Sequence, residues 1–543
     1  MPAGTAALGD RVCFARPSAD DSPSNNARMS PAPFNMKRQY QRLGELLRPI
    51  DIESSLLFCN HVLAAWRGEE SDPVIRNLVG QFRLPPAPFL VHLAARQCLL
   101  QSLGPSNRKM GTEDFKRLFG LLWEILDHDP AMEDPGWAQS DPTGWAIRYL
   151  GLQQRVIDIL LQTYGLAVAL FTDDMPRGAD EAVDIPARVQ DLLRMCPAVF
   201  MRAGFVAGAL RMANSGRVKL AGTITTDLVA NRSSEVGAGV ADNWSRFIEL
   251  ASCTPSDFKR RSRESTMPTA DSRYDLYRFN LLRRFPMIDI GGARFVTADP
   301  QLVIARTTLG MYYDALEADG ENFTRPFGYR FANLVGDIAR SACGKERVWS
   351  EPSVSQQGRE LRESKKADHA ILGDVATVLI ECKALRPSMK LLMMGDPADT
   401  DTLVARVAAA VRQLTDHAEA IRAGKWAGLG LSARDCYGIV VTYGCIPTGN
   451  GLLFRGKVRD LLAKDGCAHL PYLILSISEF DSFLRLAELG NGPDAVMAAL
   501  TANDNGGFPG SFQSALSTDA ISSATRRRGE AFLATLPDSP DAA

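Results

Sequence analysis

The sequence of 543 residues lacks the cysteine and histidine patterns on which many metal and disulfide sites are built. Its ten cysteines are scattered and none belongs to a C-x-x-C pair, so neither a zinc ribbon nor a disulfide framework is expected, and a reducing cytoplasm is indicated. Only six histidines occur, and none lies in an H-E-x-x-H motif. Histidine-centred metal chemistry is therefore not expected.

Charge of one sign and long hydrophobic runs are also missing. The formal net charge is −2, so any surface for nucleic acid must be local rather than a global positive field. The N-terminus has no charged start followed by an apolar core, which argues against a secretory signal. No run reaches the roughly 18 uncharged apolar residues of a membrane span. We therefore expect a soluble, cytoplasmic protein with no membrane partner.

The hydrophobic content of 45% and the charged content of 23% are typical of globular domains, and the length allows two or three of them. The N-terminal half shows apolar residues at three- and four-residue spacing, whereas strands and helices alternate after about residue 321. The prediction is an α plus α/β protein, in which an all-helical domain precedes a mixed sheet flanked by helices. Its segments are a disordered leader at 1–33, a helical domain of unknown role at 36–275, a hairpin and helix connector at 276–320, the mixed-sheet domain at 321–490 and a flexible tail at 502–543.

The connector and the last domain carry clear element signals. Gly291-Gly292 between two short apolar runs predicts a hairpin, and a helix is expected from Pro300 to Glu317. The last domain is predicted to follow the order α-β-β-β-α-β. Its helices are expected at 326–342, 401–423, 456–464 and 478–489, and its strands at 346–354, 367–372, 375–383, 437–443 and 471–477.

The informative segment is the predicted hairpin of strands 367–372 and 375–383. Gly373-Asp374 between two apolar runs predicts a two-residue turn, in which Leu372 faces Val375 and Asp368 faces Leu379. Side chains alternate along each strand. Asp368, Glu381 and Lys383 therefore project from one side of the sheet, with Asp368 diagonal to Glu381. Cys382 points the other way, into the core.

Two carboxylates and an amine on one apolar hairpin are costly unless they are paired or functional. Asp368 and Glu381 offer hard oxygen ligands to Mg²⁺, for which Mn²⁺ can substitute, and Mg²⁺ commonly keeps waters and accepts a substrate phosphate. Lys383 can orient the attacking water and stabilise charge on the phosphate. The pattern predicts a metal-dependent enzyme that hydrolyses phosphodiester bonds.

These three residues resemble the motif of the PD-(D/E)xK nuclease superfamily. The resemblance covers about residues 321–490 and implies a restriction-endonuclease-like fold. It also implies that Cys382 lends its backbone carbonyl to the metal and that Gln413, on the following helix, faces the site. Ala367 replaces the family's proline. The family's helix glutamate is missing, and its nearest substitute, Asp337, lies away from the helix's apolar stripe, so a third acidic ligand is left open.

The resemblance implies nucleic acid as the partner, with DNA favoured over RNA. Arg359, Arg362, Lys365 and Lys366 flank the hairpin and either contact phosphates or form a solvated face. The helical domain is expected to bind a partner protein or to self-associate. By analogy, a helical domain joined to such a nuclease resembles a bacterial defence or mobile-element effector. Two alternatives stay open: a catalytically inactive scaffold or nucleic-acid-binding protein of this fold, and an RNA-cleaving effector that uses the same site.

Overall fold

The structure is a computed structural model, and the helices and strands given below lie in the unit Met36–Ala543. The predicted leader at 1–33 lies outside the described residues. The structure describes residues 34–68, 72–81, 88–128, 141–144, 147, 160–173, 184–208, 211–212, 218–219, 223–225, 239–264, 279–350, 367–374, 376–388, 391–392, 396–426, 435–447, 449–490 and 521–535.

The first half of the chain is mostly helical. Its helices are α1 (Met36–Leu47), α2 (Ile52–Trp66), α3 (Pro73–Gln81), α4 (Pro88–Gln101), α5 (Thr112–Asp127), α6 (Leu160–Phe171), α7 (Ile185–Leu193), α8 (Pro197–Gly208), α9 (Val240–Ala251) and α10 (Pro255–Glu264). The short strands among them are β1 (Arg211–Met212), β2 (Val218–Lys219), β3 (Thr223–Thr225) and β4 (Ser252–Cys253).

The second half alternates strands with helices. Its strands are β5 (Met287–Gly291), β6 (Arg294–Val296), β7 (Val348–Ser350), β8 (His369–Leu372), β9 (Ala376–Lys383), β10 (Asp435–Thr442) and β11 (Tyr472–Ser476). Its helices are α11 (Pro300–Thr307), α12 (Met311–Asp319), α13 (Glu321–Cys343), α14 (Pro397–Arg422), α15 (Leu452–Lys464), α16 (Ile477–Leu489) and α17 (Ser523–Leu533). Single 3-10 turns occur at Leu281–Arg283 and Lys345–Arg347.

Several helices begin at a residue whose side chain caps them. Asp51 accepts the Ser54 N–H at 2.8 Å at the start of α2. Asp396 accepts the Asp399 N–H at 3.0 Å at the start of α14, where Pro397 fills the first helical position. Such caps satisfy backbone donors that have no partner inside the helix, and proline there sacrifices no hydrogen bond.

The first half is not all-helical, so that part of the fold prediction is wrong. Strand β3 pairs with β6 and β4 pairs with β5, which gives a four-stranded mixed sheet in the order β3-β6-β5-β4. The predicted hairpin is confirmed as β5 and β6, but it forms the middle of this sheet and is more than a connector. Strands of two or three residues are too short to show alternation in the sequence.

The predicted helix from Pro300 to Glu317 is two helices, α11 and α12. The Thr308 hydroxyl donates to the Ile304 carbonyl at 2.7 Å, and the Thr307 hydroxyl also reaches that carbonyl, at 3.2 Å. Side chains that bond to the backbone in this way compete with the regular helical pattern. The helix ends there, and a second one starts after Gly310.

The second half of the chain contains a five-stranded mixed sheet in the order β11-β10-β9-β8-β7. Strands β9, β10 and β11 run parallel, with α14 and α15 as the connecting helices, and β7, β8 and β9 are antiparallel. Each predicted helix and strand of this region has a counterpart, shifted by a few residues at its ends. Helices therefore cover a mixed sheet, as predicted.

The two faces of this sheet belong to two different hydrophobic cores. Val378 and Ile380 pack in the core that contains α13 and α16, whereas Leu379, between them, packs in the core that contains α14 and α15. The same alternation holds along β10 and β11. Because successive side chains of a strand point to opposite faces, every residue of β9 is assigned to the α13 side or the α14 side.

Part of the predicted flexible tail is a packed helix, so that prediction is wrong for residues 521–535. The buried Asp481 accepts a hydrogen bond from the Thr525 hydroxyl at 2.6 Å and also one from the Ser522 hydroxyl. The Phe532 ring stacks on Tyr164 with centroids 4.7 Å apart. These contacts join α17 to α6 and α16. Among the described residues, no helix has both the length and the apolar composition needed to cross a membrane.

Glycine permits the close approach of α17 to α6. A Cβ added at Gly529 would lie 2.4 Å from the Leu161 carbonyl oxygen, which is backbone and cannot move aside alone. We expect Gly529→Ala to destabilise the protein by about 1–3 kcal/mol, as overpacking does. The matched control is Gly456→Ala in α15, where nothing lies within 4 Å of the new Cβ. It should stabilise by about 0.5–1 kcal/mol. Thermal melts compare the two variants, and an unchanged Tm for Gly529→Ala would contradict this packing.

Candidate active site

The β8–β9 hairpin closes one residue later than predicted. The Gly373 N–H donates to the Ala376 carbonyl at 3.0 Å, and Leu372 pairs with Thr377. The predicted pairing of Leu372 with Val375 is therefore wrong by two residues. Since side chains alternate with a period of two, a shift of two leaves each side chain on its own face. The hydrophobic pattern cannot distinguish these two registers, and the prediction of a shared face is unaffected.

In the observed register Asp368 lies opposite Glu381 rather than diagonal to it, because His369 pairs with Ile380. The Asp368 carboxylate accepts the Cys382 N–H at 2.6 Å, so the acid at the start of β8 is fixed to the backbone of β9. Glu381 is the residue immediately before Cys382 in β9. The two carboxylates are thus brought to the same end of two adjacent strands, and the alternation along β9 places Glu381 on the α14 side of the sheet.

Glu381 and Lys383 form an ion pair at this end of β9. The Lys383 Nζ lies 2.5 Å from Glu381 Oε1. The glutamate side chain is 1% exposed and the lysine side chain is 33% exposed, so the carboxylate is inside and the ammonium is at the rim. Burial lowers the pKa of Lys383, but the negative charges of Glu381 and Asp368 together have the larger effect and raise that pKa above its usual value. The lysine is therefore a cation at neutral pH.

The backbone carbonyl of Cys382 points to the β8 side of β9. The Cys382 N–H points to the β8 side, and in a strand the carbonyl of the same residue points the same way. A longer β8 would place the Ala367 N–H on that carbonyl, but the Ala367 N–H donates to His417 Nδ1 instead, at 2.9 Å. The β8–β9 pairing thus ends at His369 and Ile380, and the Ala367 N–H is not the donor to the Cys382 carbonyl.

The Cys382 thiol is a poor candidate for chemistry. Its side chain packs on the α13 side of the sheet. Burial, and then the negative charges of Asp368 and Glu381, raise the pKa of the Cys382 thiol well above its usual value. The thiol stays protonated, so only the backbone of Cys382 can contribute to an oxygen-ligand site.

His417 is a site residue that the sequence did not reveal. It lies on α14 and is buried, and its ring is tilted against that of Trp426, with the ring centroids 4.4 Å apart. Because Nδ1 accepts the Ala367 N–H, the neutral ring carries its proton on Nε2. Gln413 is half-buried one helical turn earlier, on the face of α14 that His417 turns to the sheet. The predicted position of Gln413 on this side of the sheet is consistent with that spacing.

His369, next to Asp368 in the chain, belongs to the opposite face. Its Nε2 lies 2.8 Å from the Ala332 carbonyl and its Nδ1 lies 2.9 Å from the Ser350 hydroxyl. Burial lowers the pKa of His369 to about 4, although the hydrogen bond to Ala332 acts in the other direction. A Cβ at Gly336 would lie 2.5 Å from the imidazole, so a glycine in α13 makes room for the ring. His369 is a packed, neutral histidine.

No third acidic ligand joins the site in the described part of the chain. Asp337 pairs with Arg340 at 2.7 Å and with Arg528 at 3.4 Å, on the α13 side of the sheet. Within the described ranges, no group of three or more histidine, cysteine, aspartate or glutamate side chains is placed to hold a metal ion. A metal here would rely on two carboxylates, one carbonyl and oxygen atoms from outside the protein.

The basic residues predicted to flank the site, Arg359, Arg362, Lys365 and Lys366, lie outside the described residues. Comparison of the chain with family models, with curated proteins and with solved structures gave no match.

His417 should position Asp368 through the backbone of Ala367. We expect His417→Ala to leave a buried N–H without an acceptor and to destabilise the protein by about 1–3 kcal/mol. His469→Ala is the control, since that histidine is exposed. Thermal melts measure both variants. Equal melting temperatures for the wild type and His417→Ala would contradict the positioning role.

Proposed function

We propose that this chain is a metal-dependent nuclease that hydrolyses phosphodiester bonds in nucleic acid. The observation that carries the proposal is the contact between the Asp368 carboxylate and the Cys382 N–H, at 2.6 Å. It holds one acid beside the strand end that carries Glu381 and Lys383. That arrangement supports the similarity to the PD-(D/E)xK motif, in which an aspartate and a Glu-x-Lys share one hairpin.

The donor set fits a hard divalent cation. Asp368, Glu381 and the Cys382 carbonyl would supply oxygen ligands, which suit Mg²⁺ or Mn²⁺ better than softer metals. The Cys382 side chain packs in the core on the α13 side of the sheet, so its backbone carbonyl is the group proposed for the metal. A divalent cation bound there would supply Lewis acidity toward the phosphate and toward an attacking water.

Lys383 would provide the positive charge at the reacting phosphate. Its ammonium is at the rim of the site and is held 2.5 Å from Glu381 Oε1, within reach of a phosphate that approaches the acids. A protonated lysine can hydrogen-bond the attacking water and stabilise charge that develops on the phosphate oxygens. The hydrogen bond that its ammonium donates to Glu381 is consistent with this donor role.

Nucleic acid is the proposed substrate because its phosphodiester backbone matches this chemistry, and the family resemblance favours DNA over RNA. Gln413 would serve as a supporting polar group on α14. Arg359, Arg362, Lys365 and Lys366 precede Asp368 in the chain and would contact phosphates along the substrate.

A second candidate function is that of a nuclease-like scaffold without turnover. The observation in its favour is that Lys383 already neutralises Glu381, while the described residues offer no further acid at the site. A buried carboxylate satisfied in this way has a structural explanation that needs no metal. Cleavage assays separate the two candidates.

The test is single-turnover cleavage of plasmid, linear DNA, single-stranded DNA and tRNA, each with Mg²⁺, Mn²⁺ or EDTA. We expect metal-dependent cutting that Asp368→Ala and Glu381→Ala abolish, because each removes a metal ligand. Lys383→Ala should slow the chemical step on the order of 10²–10³-fold. Lys383→Arg should restore little of the cleavage rate that Lys383→Ala loses, because a planar guanidinium differs in shape and hydrogen bonding from an ammonium.

The matched control is Asp374→Ala, at the other end of the same hairpin, where the carboxylate is 72% exposed and pairs with Arg347. It should cut like the wild type. Thermal melts establish that each variant folds. Cutting of tRNA alone would assign the site to an RNA-cleaving effector. Alanine variants that cut as fast as the wild type would place the active site elsewhere, and a wild type inactive with every metal would favour the scaffold.

A further inference from the structure

A polar cavity lies on the α13 side of the sheet, away from Asp368 and Glu381. It has a volume of about 420 Å³ and is lined by the C-terminal half of α13 and by α17. Its polar lining side chains are Asp337, Arg340, Ser341, Lys345, Arg527 and Arg528. Nothing in the proposed nuclease chemistry uses these residues.

The charge in this cavity is strongly unbalanced. Four cationic side chains line it against a single carboxylate, that of Asp337. That carboxylate is already bonded to two guanidinium groups, Arg340 at 2.7 Å and Arg528 at 3.4 Å. Arg340 and Arg528 are 29% and 23% exposed, so their charges are partly removed from water. Like charges in such a setting repel one another, and an anion that enters the cavity relieves this repulsion.

Much of the cavity wall is fixed in place. Arg528 also pairs with Asp173 at 3.1 Å, and Arg340 Nη1 donates to the Ser350 hydroxyl at 3.0 Å. The helix that carries Arg527 and Arg528 is held at its start by Asp481 and by Glu488, which accepts the Ser523 N–H at 2.8 Å. Lys345 and Arg527, by contrast, have exposed side chains with room to close on a ligand.

We infer that this cavity between α13 and α17 binds a small ligand that carries several phosphate groups. Guanidinium groups bind phosphate oxygens through two parallel hydrogen bonds in one plane. Because several cations line the cavity, a ligand with more than one phosphate would balance their charge best. The volume of about 420 Å³ lies within the usual range of small-molecule sites, roughly 300–1,000 Å³. A cleft of this limited size suits an oligophosphate or a nucleotide better than a duplex, which needs an extended basic track.

The ligand would sit against the structure that supports β8. Arg340 lines the cavity and bonds to Ser350, whose hydroxyl contacts His369 Nδ1 at 2.9 Å. His369 directly follows Asp368. A ligand in the cavity would therefore order Arg340, which is linked through Ser350 to His369 at the start of β8. This position suits an effector site and not a substrate site.

The experiment is isothermal titration of sodium tripolyphosphate into the full chain, in EDTA so that no divalent cation contributes. We expect saturable binding that the double variant Lys345→Ala/Arg527→Ala weakens by about 10- to 100-fold, as the loss of charged contacts predicts. Asp337→Asn should tighten binding, because it removes the one carboxylate among the described lining residues. Arg526→Ala is the control, since Arg526 is adjacent in the chain and does not line the cavity.

A parallel titration with ATP identifies the source of the phosphates, since tighter binding of ATP than of tripolyphosphate would add recognition of a nucleoside. Asp368→Ala should bind tripolyphosphate like the wild type, so this result is independent of nuclease activity. No saturable binding, or equal binding by the wild type and the double variant, would overturn the inference. A short DNA duplex that binds through Lys345 and Arg527 when tripolyphosphate does not would overturn it as well.

Discussion

The five-stranded sheet is covered by helices on both faces, and this constraint decides where polar chemistry can occur. Val378 and Ile380 are buried against α13 and α16, and Leu379 is buried against α14 and α15. An unpaired charge in the middle of β9 would have no water on either side. The charged side chains of β9 are therefore confined to its end, beside the start of β8, where β9 continues to Lys383. The two charged side chains there differ in exposure, since the glutamate is buried and the lysine lies at the rim.

This strand end is where the sequence reasoning was strongest. Alternation alone placed Asp368, Glu381 and Lys383 on one face, and in the structure the alternation along β9 has Glu381 and Lys383 on the α14 side. The predicted register of β8 and β9 was wrong because shifting the turn by one residue changes each pairing by two residues. A change of two leaves every side chain on the same face, so alternation cannot detect it. What separates the two registers is the Cys382 N–H bonded to Asp368, a contact that no periodic pattern encodes.

Other features depended on contacts between distant parts of the chain. His417 is fifty positions from Ala367, and nothing in its neighbourhood indicates that its ring accepts a backbone N–H. Strands β3 and β4 are too short to show a period. Helix α17 has a weakly apolar sequence, and it packs on α6 because Gly165 and Gly529 let the two backbones approach closely. Local patterns predict elements well, but close approach and long-range pairing arise only in the folded chain.

The two polar regions beside this sheet are electrostatically opposite. The end of the β8–β9 hairpin presents two carboxylates and one ammonium, which suits a cation, and the cavity on the α13 side presents four cations and one carboxylate, which suits an anion. His369 packs on the α13 side and directly follows Asp368 in the chain. Any coupling between the two regions would pass through the start of β8.

We propose that Asp368, Glu381 and the Cys382 carbonyl form one metal site. The most direct measurement is the anomalous difference map of a crystal grown with Mn²⁺, compared with one from Glu381→Gln. We expect one strong peak within coordination distance of all three oxygen donors, at roughly the 2.0–2.1 Å typical of small hard cations, and its loss in the variant. A crystal that diffracts well and shows no peak there, or shows one bound only to other residues, would contradict it.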